Sequence, residues 1–405
     1  MSRCGRRMAL AAALLIGAGL GAAAIGLMPV AASSGHWAVT AWLLHTTMRR
    51  AVQLRALFVP EPPDLEDPAL VLRGAGHYAG GCAPCHGAPG QGPSAVTRHM
   101  TPAPPVLAPR IDEWTPRELY WIVRHGVKFT GMPAWPAPRR EDEPWSVVAF
   151  LRRMPDLSGA EYRRLALGDA ADQEVSAPAS APGASSAALQ RHAETAAPGT
   201  AALAPLAGPL GPVIRSCARC HGRDGLGRVP GAFPRLAGQS ETYLAASLAA
   251  YADGTRHSGI MEPVAAALDA PARQALAVHF SRLPPGRPAG DPAAAAAAAA
   301  GLDPPRTAAD AAVMIGQGER IARRGVPERK VASCVPCHGP RDGPRNRHYP
   351  LLAGQDPAYL VRQLDLFIDD RRGGTGWSGI MEISMHRLTL DESAAVAAYY
   401  AGLAR

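Results

Sequence analysis

Aromatic side chains are scarce in this chain. Phe, Tyr and Trp make up 5% of the 405 residues. A chain of this length holds about two to four domains of ordinary size, and small domains with so few aromatic residues have little with which to fill their cores. The sequence therefore predicts that something besides side chains occupies part of each interior.

Lysine is also nearly absent, with Lys128 and Lys330 as its only occurrences. The formal net charge of +8 therefore rests on arginine. The arginines are scattered singly or in pairs, such as Arg49 and Arg50, and they form no basic block of the kind that binds nucleic acid. We expect a solvated surface of mixed charge and no nucleic-acid partner.

Strand patterns are missing as well. No segment shows the alternation of β-branched and polar residues that is typical of strands. Helical periodicity recurs instead, for example over 143–154 and 391–403. Glycine (42 residues) and proline (40 residues) are abundant, which predicts long loops and linkers. These features favour an all-α fold.

The N-terminus carries a long uncharged run. Arg3, Arg6 and Arg7 precede residues 8–30, and these 23 residues carry no charge. This length suits a helix across a bilayer, whereas the apolar part of a cleaved signal usually spans about 7–15 residues. We interpret it as a retained membrane anchor, with signal cleavage near 30–32 as the alternative. Because the arginines stay in the cytoplasm, either interpretation exports the body to the periplasmic side of a bacterial inner membrane.

The next stretch, residues 36–58, also looks helical and contains Trp37 and Trp42. It either lies along the membrane surface or packs on the first domain. Cys4 precedes the apolar run, and no role is assigned to it.

The other six cysteines form one motif three times. Two cysteines are separated by two residues, and a histidine follows the second: Cys82, Cys85 and His86; Cys217, Cys220 and His221; Cys334, Cys337 and His338. This spacing is the attachment motif of c-type haem.

Three chemistries use paired cysteines, and the sequence context separates them. A structural zinc site needs four ligands, but each copy offers one cysteine pair and one adjacent histidine. A redox disulfide of the thioredoxin type belongs near a βαβ pattern. Haem attachment uses every residue of the motif, because two thiols bind the porphyrin edge and the imidazole is a good axial ligand of the iron. Zinc and a redox disulfide remain alternatives, and haem is the favoured interpretation.

The repeat extends beyond the motif and sets the domain organisation. Residues 233–268 align with 349–388 through a proline, Leu-Ala-Gly-Gln, Tyr-Leu and Ser-Gly-Ile-Met, and the first copy is more distant. We predict the following division: a membrane anchor or uncleaved signal over 1–35, a membrane-proximal helix and linker over 36–66, domain 1 over 67–168, an Ala/Pro/Ser linker over 169–208, domain 2 over 209–285, an Ala/Pro linker over 286–308, and domain 3 over 309–405.

With these motifs in place, the chain resembles three tandem class I c-type cytochrome domains. The second and third resemble the two-haem periplasmic cytochromes of the c-four type through Pro-x-Leu-Ala-Gly-Gln and the Ile-Met segment. The first resembles membrane-anchored single-haem domains through Gly-Met-Pro-Ala-Trp. The resemblance implies short helices around three covalently bound haem c groups. It also implies that the six motif cysteines hold the haems and that His86, His221 and His338 ligate the irons.

The resemblance further implies methionine as the sixth iron ligand. The candidates lie 46, 40 and 43 residues after their histidines: Met132, Met261 and Met381. Met385 is a rival in the third domain, and Met100 and His99 are alternatives in the first. His125 is interpreted as structural. A His–Met pair gives a closed iron of relatively high potential, suited to electron transfer.

Two further features follow from the resemblance. A proline carbonyl after each motif should accept from the axial histidine, and the candidates are Pro234 and Pro350, with Pro105 at a longer separation. A glycine and an aromatic of the first helix should pack on the last helix, and in the first domain Gly76 and Tyr78 match. The second domain is too short and too rich in proline before its motif to form a normal first helix.

The expected function is transfer of single electrons in a periplasmic respiratory chain, without catalysis. The partners would be a quinol-oxidising complex or a dehydrogenase on one side and a terminal oxidase or other acceptor on the other. One alternative is the cytochrome subunit of a membrane dehydrogenase for alcohols, aldehydes or sugars. A haem enzyme such as a peroxidase is a further alternative, which three axial methionines disfavour.

Overall fold

A computed structural model describes most of the chain. The described ranges are 3–28, 30–168, 210–228, 231–286, 292–301, 304–340 and 346–404. Within them every regular element is helical, and the only β-bridges are the isolated pairs Ala88–Gln91 and Val326–Val331. The all-α prediction is confirmed. The predicted linker over 169–208 lies outside the described residues.

Two helices precede the first motif. Helix α1 (Arg3–Ala24) has no buried residue and is long and apolar enough to cross a membrane. Helix α2 (Ala38–Ala56) buries Val52 and Ala56 near its C-terminal end, while Trp42 near its start is 66% exposed. The C-terminal part of α2 therefore packs on the first domain, and its N-terminal part leaves an apolar surface open.

The helices of the first domain surround one hydrophobic cluster. They are α3 (Pro68–Gly81), α4 (Ala83–His86), α5 (Ala95–Arg98), α6 (Pro116–His125), α7 (Pro144–Arg153) and α8 (Gly159–Leu167). Tyr78 of α3 packs on Phe150 of α7 with ring centroids 5.0 Å apart, as predicted. The glycine at this crossing is Gly74, where a Cβ would lie 1.9 Å from the Ser146 carbonyl oxygen. Gly76, the predicted contact, instead faces the second domain.

From residue 210 onward, where the description of the second domain begins, no separate helix precedes its motif. Its elements are α9 (Gly211–His221), α10 (Glu241–Ala252), α11 (Met261–Ala266) and α12 (Ala270–Arg282). Helix α9 runs directly into the motif, which agrees with the short, proline-rich sequence before it. Ile214, Leu276 and Phe280 form part of the domain's cluster.

The third domain contains six helices among the described residues, as many as the first. They are α13 (Pro292–Ala300), α14 (Ala308–Arg324), α15 (Val335–His338), α16 (Pro357–Ile368), α17 (Ser378–Met385) and α18 (Leu390–Ala401). Helix α14 crosses α18 at Gly318, as α3 crosses α7 at Gly74. A Cβ on Gly318 would lie 1.9 Å from the Ala395 carbonyl oxygen. Ala296 and Ala299 of α13 are buried in the same cluster. The alanine run, predicted as part of a linker, thus belongs to the core of this domain.

Local sequence fixes where several helices begin. A threonine or serine side chain accepts from the N3 backbone N–H, and the N3 carboxylate accepts in return from the capping residue, which satisfies two otherwise unpaired donors. Such capping boxes start four helices: Thr115 with Glu118, Ser158 with Glu161, Thr307 with Asp310, and Thr389 with Glu392.

Candidate functional site

The three motif histidines share one arrangement. Each lies at the C-terminal end of a helix, and its Nδ1–H donates to a proline carbonyl further along the chain. The distances are 2.9 Å from His86 to Pro105, 3.1 Å from His221 to Pro234, and 3.0 Å from His338 to Pro350. The three carbonyl contacts expected from the resemblance are present. They fix the tautomer in which Nε2 carries the lone pair that a metal needs.

The residue after each histidine is a glycine with a left-handed backbone. Its φ is 73° at Gly87, 78° at Gly222 and 73° at Gly339, a conformation that favours glycine. The Tyr78 hydroxyl donates to the Gly87 carbonyl oxygen at 2.7 Å, and the Tyr400 hydroxyl donates to that of Gly339 at 2.7 Å. These tyrosines hold the motif turn in two domains. The hydroxyl contact was not predicted from the spacing of residues in the sequence.

The first thiol of each motif is held in its protonated form. Burial, with a smaller effect from the second cysteine of each pair, raises the pKa of Cys82, Cys217 and Cys334 to about 12. A redox thiol needs a lowered pKa. Among the described residues, which include all three motifs, no group of three His, Cys, Asp or Glu side chains could hold a metal ion. Neither a redox disulfide nor a closed zinc site is therefore supported.

A cavity of about 2810 Å³ joins the first two sites. Its walls include both motifs and both candidate methionines: Cys82, Cys85, His86, Met132, Cys217, Cys220, His221 and Met261. A pocket for one small ligand usually measures roughly 300–1,000 Å³. The cavity is therefore large enough for two macrocycles, and the residues that line it fit haem as the group.

The rival ligands of the first site are placed differently. Met100 lines the same cavity as Met132, with its methyl group against Gly131. His99 is exposed, and its Nδ1–H donates to the Ala95 carbonyl of its own turn at 2.7 Å. His125 packs on Trp121 with ring centroids 5.0 Å apart, away from the cavity walls.

In the third site, Met385 is 4% exposed and belongs to the core cluster. Met381 is partly buried and packs against the same cluster, which also includes Cys334. The His338 ring lies beside Tyr349, with centroids 6.2 Å apart, and Tyr349 contacts Trp377. Burial thus gives Met385 a packing role and leaves Met381 nearer the surface of the cluster.

Known proteins resemble separate parts of this chain. The model of subunit III of the cbb3-type cytochrome c oxidase matches residues 69–151, and the cytochrome c model matches residues 213–278. The thiosulfate dehydrogenase electron acceptor of Thiomonas intermedia is 37% identical over 207 residues, which cover 51% of this chain and 84% of that protein. The chain belongs to the c-type cytochromes.

Two further similarities concern cytochrome c4. The protein of Pseudomonas aeruginosa is 29% identical over 188 residues, which cover 46% of this cytochrome and 83% of the relative. The solved cytochrome c4 of Acidithiobacillus ferrooxidans is 32% identical and aligns over 46% of this cytochrome and 98% of that chain, with a TM-score of 0.38.

Membership of the family makes this a carrier of covalent haem c with a role in electron transfer. When bound, the haem iron supplies the one-electron change of valence. The residues of the cytochrome orient the three motif histidines through the proline carbonyls and hold two of the motif turns through Tyr78 and Tyr400. A hydrophobic cluster packs beside each motif.

A buried carboxylate joins the first two domains of the cytochrome, and no sequence pattern predicted it. Glu143 of domain 1 is 7% exposed. It accepts from the Ser258 hydroxyl and the Gly259 N–H of domain 2, each at 2.7 Å, and from Trp135 Nε1 at 3.2 Å. Arg140 pairs with it at 3.0 Å. Trp135 follows Met132 closely, and Gly259 precedes Met261, so this junction connects the two methionine segments.

Proposed function

We propose that this cytochrome carries three haem c groups and relays single electrons through them. The observation that carries the proposal is the shared arrangement of the three motifs, in which each histidine donates to a proline carbonyl at 2.9–3.1 Å. A separate hydrophobic cluster lies around each motif. The predicted domains over 67–168, 209–285 and 309–405 would thus each hold one haem.

The proposed ligands are the residues named from the sequence. The thioethers form on Cys82, Cys85, Cys217, Cys220, Cys334 and Cys337, and the axial pairs are His86 with Met132, His221 with Met261, and His338 with Met381. The shared cavity supports the first two pairs, because its walls contain all four residues. A thioether opposite an imidazole closes the iron to substrates, which favours electron transfer over peroxidase chemistry.

The packing of the first domain on the second supports a relay within one chain. Besides the Glu143 contacts, Arg228 donates to the Leu165 and Arg164 carbonyl oxygens at 2.7 and 2.8 Å. A Cβ on Gly76 would lie 3.2 Å from Cys220 Sγ. Helix α3, which leads into the first motif, therefore lies directly against the second motif. This contact shortens the path between the two sites.

The proposed location is the periplasmic side of the bacterial inner membrane. Helix α1 supports an anchor by its length, its composition and its lack of buried residues. The exposed Trp37 and Trp42 before and within α2 are suited to the membrane–water interface, where aromatic side chains concentrate. Signal cleavage that releases a periplasmic protein is the alternative.

Haem stoichiometry tests the three-site proposal. We expect an alkaline pyridine spectrum and the intact mass to give three haems per chain. The variant with both Cys334 and Cys337 replaced by serine should give two, since thioether formation needs the thiols. A wild-type count of two or fewer would refute the proposal.

The leading proposal for partners is a quinol-oxidising complex or dehydrogenase as donor and a terminal oxidase or other acceptor. The second candidate function is that of the electron acceptor of a dehydrogenase for sulfur compounds. It is favoured by the 37% and 34% identity to the thiosulfate dehydrogenase electron acceptors of Thiomonas intermedia and Stutzerimonas stutzeri. The structure favours no alcohol, aldehyde or sugar dehydrogenase over these.

Cross-linking in intact membranes separates the partner candidates. We expect an oxidase or quinol-oxidising complex among the captured proteins, identified by mass spectrometry. The matched control replaces residues 1–35 by a cleavable signal peptide, so that the protein is still exported but has no anchor, and it should capture fewer membrane complexes if α1 anchors the protein. Capture of a dehydrogenase alone would contradict the leading proposal and favour the second candidate.

A further inference from the structure

Two glutamines cross between the second and third domains. They are the last residues of the two Leu-Ala-Gly-Gln repeats, Gln239 and Gln355, and each is 4% exposed. Gln239 accepts from the Leu351 N–H at 2.7 Å and donates to the Leu351 carbonyl oxygen at 3.1 Å. Gln355 accepts from the Arg235 N–H at 2.8 Å and donates to the Arg235 carbonyl oxygen at 2.9 Å. The paired contacts fix the orientation of both amides.

The residues held by the glutamines follow the prolines that orient the axial histidines. The Pro350–Leu351 peptide unit accepts from His338 Nδ1 through its carbonyl oxygen at 3.0 Å. The same peptide unit donates through its N–H to Gln239 of domain 2. A chain of two hydrogen bonds thus runs from the axial imidazole of domain 3 through one peptide into domain 2.

The second site repeats the arrangement in the opposite direction. The Pro234–Arg235 peptide accepts from His221 Nδ1 at 3.1 Å and donates to Gln355 of domain 3 at 2.8 Å. Each of the two domains therefore supplies the final acceptor in the chain of hydrogen bonds that begins at the motif histidine of the other. The relation is reciprocal, because both glutamines occupy the same position in the repeat.

Hydrogen bonds in such chains polarise one another. When an amide N–H donates, its carbonyl oxygen becomes a stronger acceptor, by about 10–30% per bond. A stronger acceptor at Nδ1–H makes the imidazole more basic as a metal ligand. A more basic imidazole stabilises the oxidised iron more than the reduced iron, so the reduction potential falls.

We propose that Gln239 and Gln355 are positioning residues that set the reduction potential of the haem in the opposite domain. Gln239 of domain 2 lowers the potential at the His338 site, and Gln355 of domain 3 lowers it at the His221 site. The inference rests on the proposed three-haem function. Both act through a peptide unit and contact no haem ligand directly.

The first domain provides an internal control. His86 donates to the Pro105 carbonyl at 2.9 Å, as at the other two sites. The following residue, Val106, is 48% exposed, and no glutamine from another domain reaches it among the described residues. The potential of the first haem should therefore not respond to either glutamine.

A purely structural role predicts different results. If the glutamines only joined the domains, their loss would loosen both sites and move both potentials together. The proposed relay predicts a crossed effect, in which a change in one domain moves the potential in the other. The crossed effect is what the experiment measures.

The test uses Gln239→Leu and Gln355→Leu in the full haem-loaded protein. Spectroelectrochemical titration gives the three midpoint potentials, and each wave is assigned by Met132→Ala, Met261→Ala and Met381→Ala, which move one wave each. Gln239→Leu should raise the equilibrium constant for one-electron reduction of the His338 haem by roughly two- to fivefold. This corresponds to a rise of about 20–40 mV in its midpoint potential, at 59 mV per tenfold change. Gln355→Leu should do the same at the His221 haem.

Thr255→Val is the matched control, because the Thr255 hydroxyl donates across the same interface to the Gly374 carbonyl at 3.1 Å without touching either relay. It should leave all three waves in place. Gln239→Met, which keeps the side-chain length, is measured alongside and should match Gln239→Leu. The low-spin ferric EPR signal of the affected haem should shift in the same variants.

Three results would overturn the relay: no shift, an equal shift of both waves, or a shift confined to the domain that carries the substitution. These results leave the haem count at three. A wild-type protein with fewer than three haems by the alkaline pyridine spectrum would instead contradict the proposed function, so the two failures are distinguishable.

Discussion

Replacing Met381 by alanine is expected to open one of the three irons to carbon monoxide. The reduced wild-type protein should bind none, because an imidazole and a thioether close each iron. The variant should bind one carbon monoxide per chain, measured by the change of the Soret band on titration. The potential of that haem should also fall, since a methionine ligand raises it.

Met385→Ala is the matched control for this result. Met385 is 4% exposed in the core of the third domain, so its loss should lower the free energy of unfolding by about 2–5 kcal/mol. It should leave carbon monoxide binding at zero. The opposite pattern, with binding after Met385→Ala and none after Met381→Ala, would assign the ligand to Met385. In the first domain, Met132→Ala and Met100→Ala form the corresponding pair.

Replacing Glu143 by alanine should separate the first domain from the second. The substitution removes the acceptor of the Ser258 hydroxyl and the Gly259 N–H and leaves the Arg140 guanidinium without this carboxylate. Arg140 keeps its contacts with Asp142, so the expected cost is that of the donors left without an acceptor, about 1–3 kcal/mol. Hydrogen exchange of the segment 258–261 should accelerate, and electron equilibration between the first two haems should slow.

Glu141→Gln is the control for the loss of one negative charge nearby. Glu141 pairs with Arg124 inside the first domain, and its side chain is 42% exposed. Exchange in 258–261 should therefore stay at the wild-type rate. If Glu143→Ala also leaves that exchange and the electron equilibration unchanged, the Glu143 contacts do not hold the two domains together.

The chemistry of the sites could be predicted from the sequence because the residues that carry it lie close together along the chain. The cysteines and histidine of each motif lie within five residues, so their spacing alone predicts haem attachment. The proline contacts were also predictable, although Pro105 lies 19 residues from its histidine and the other two prolines lie 13 and 12 residues from theirs. Helical periodicity was sufficient for the all-α fold.

Contacts between domains could not be predicted in this way. Glu143 follows Asp142 in a charged stretch that reads as solvated surface, and only folding brings Ser258 to it across 115 residues. Gly74 and Gly76 lie two residues apart on one helix and face different partners, which a pattern match cannot separate. The alanine run over 292–300 has no polar face from which a packing direction could be derived.

The two tyrosine hydroxyl contacts have a consequence for how the repeats diverged. Tyr78 belongs to the helix before its motif, whereas Tyr400 belongs to the last helix of its domain, and each donates to the carbonyl of the glycine after the histidine at 2.7 Å. The second repeat has Phe280 in its last helix. There the Gly222 carbonyl oxygen accepts from the Gly225 N–H at 3.2 Å instead. The carbonyl of this turn is thus satisfied by a hydroxyl from either of two helices or by the local backbone, so the repeats could exchange one donor for another while the Cys-x-x-Cys-His segment stayed the same.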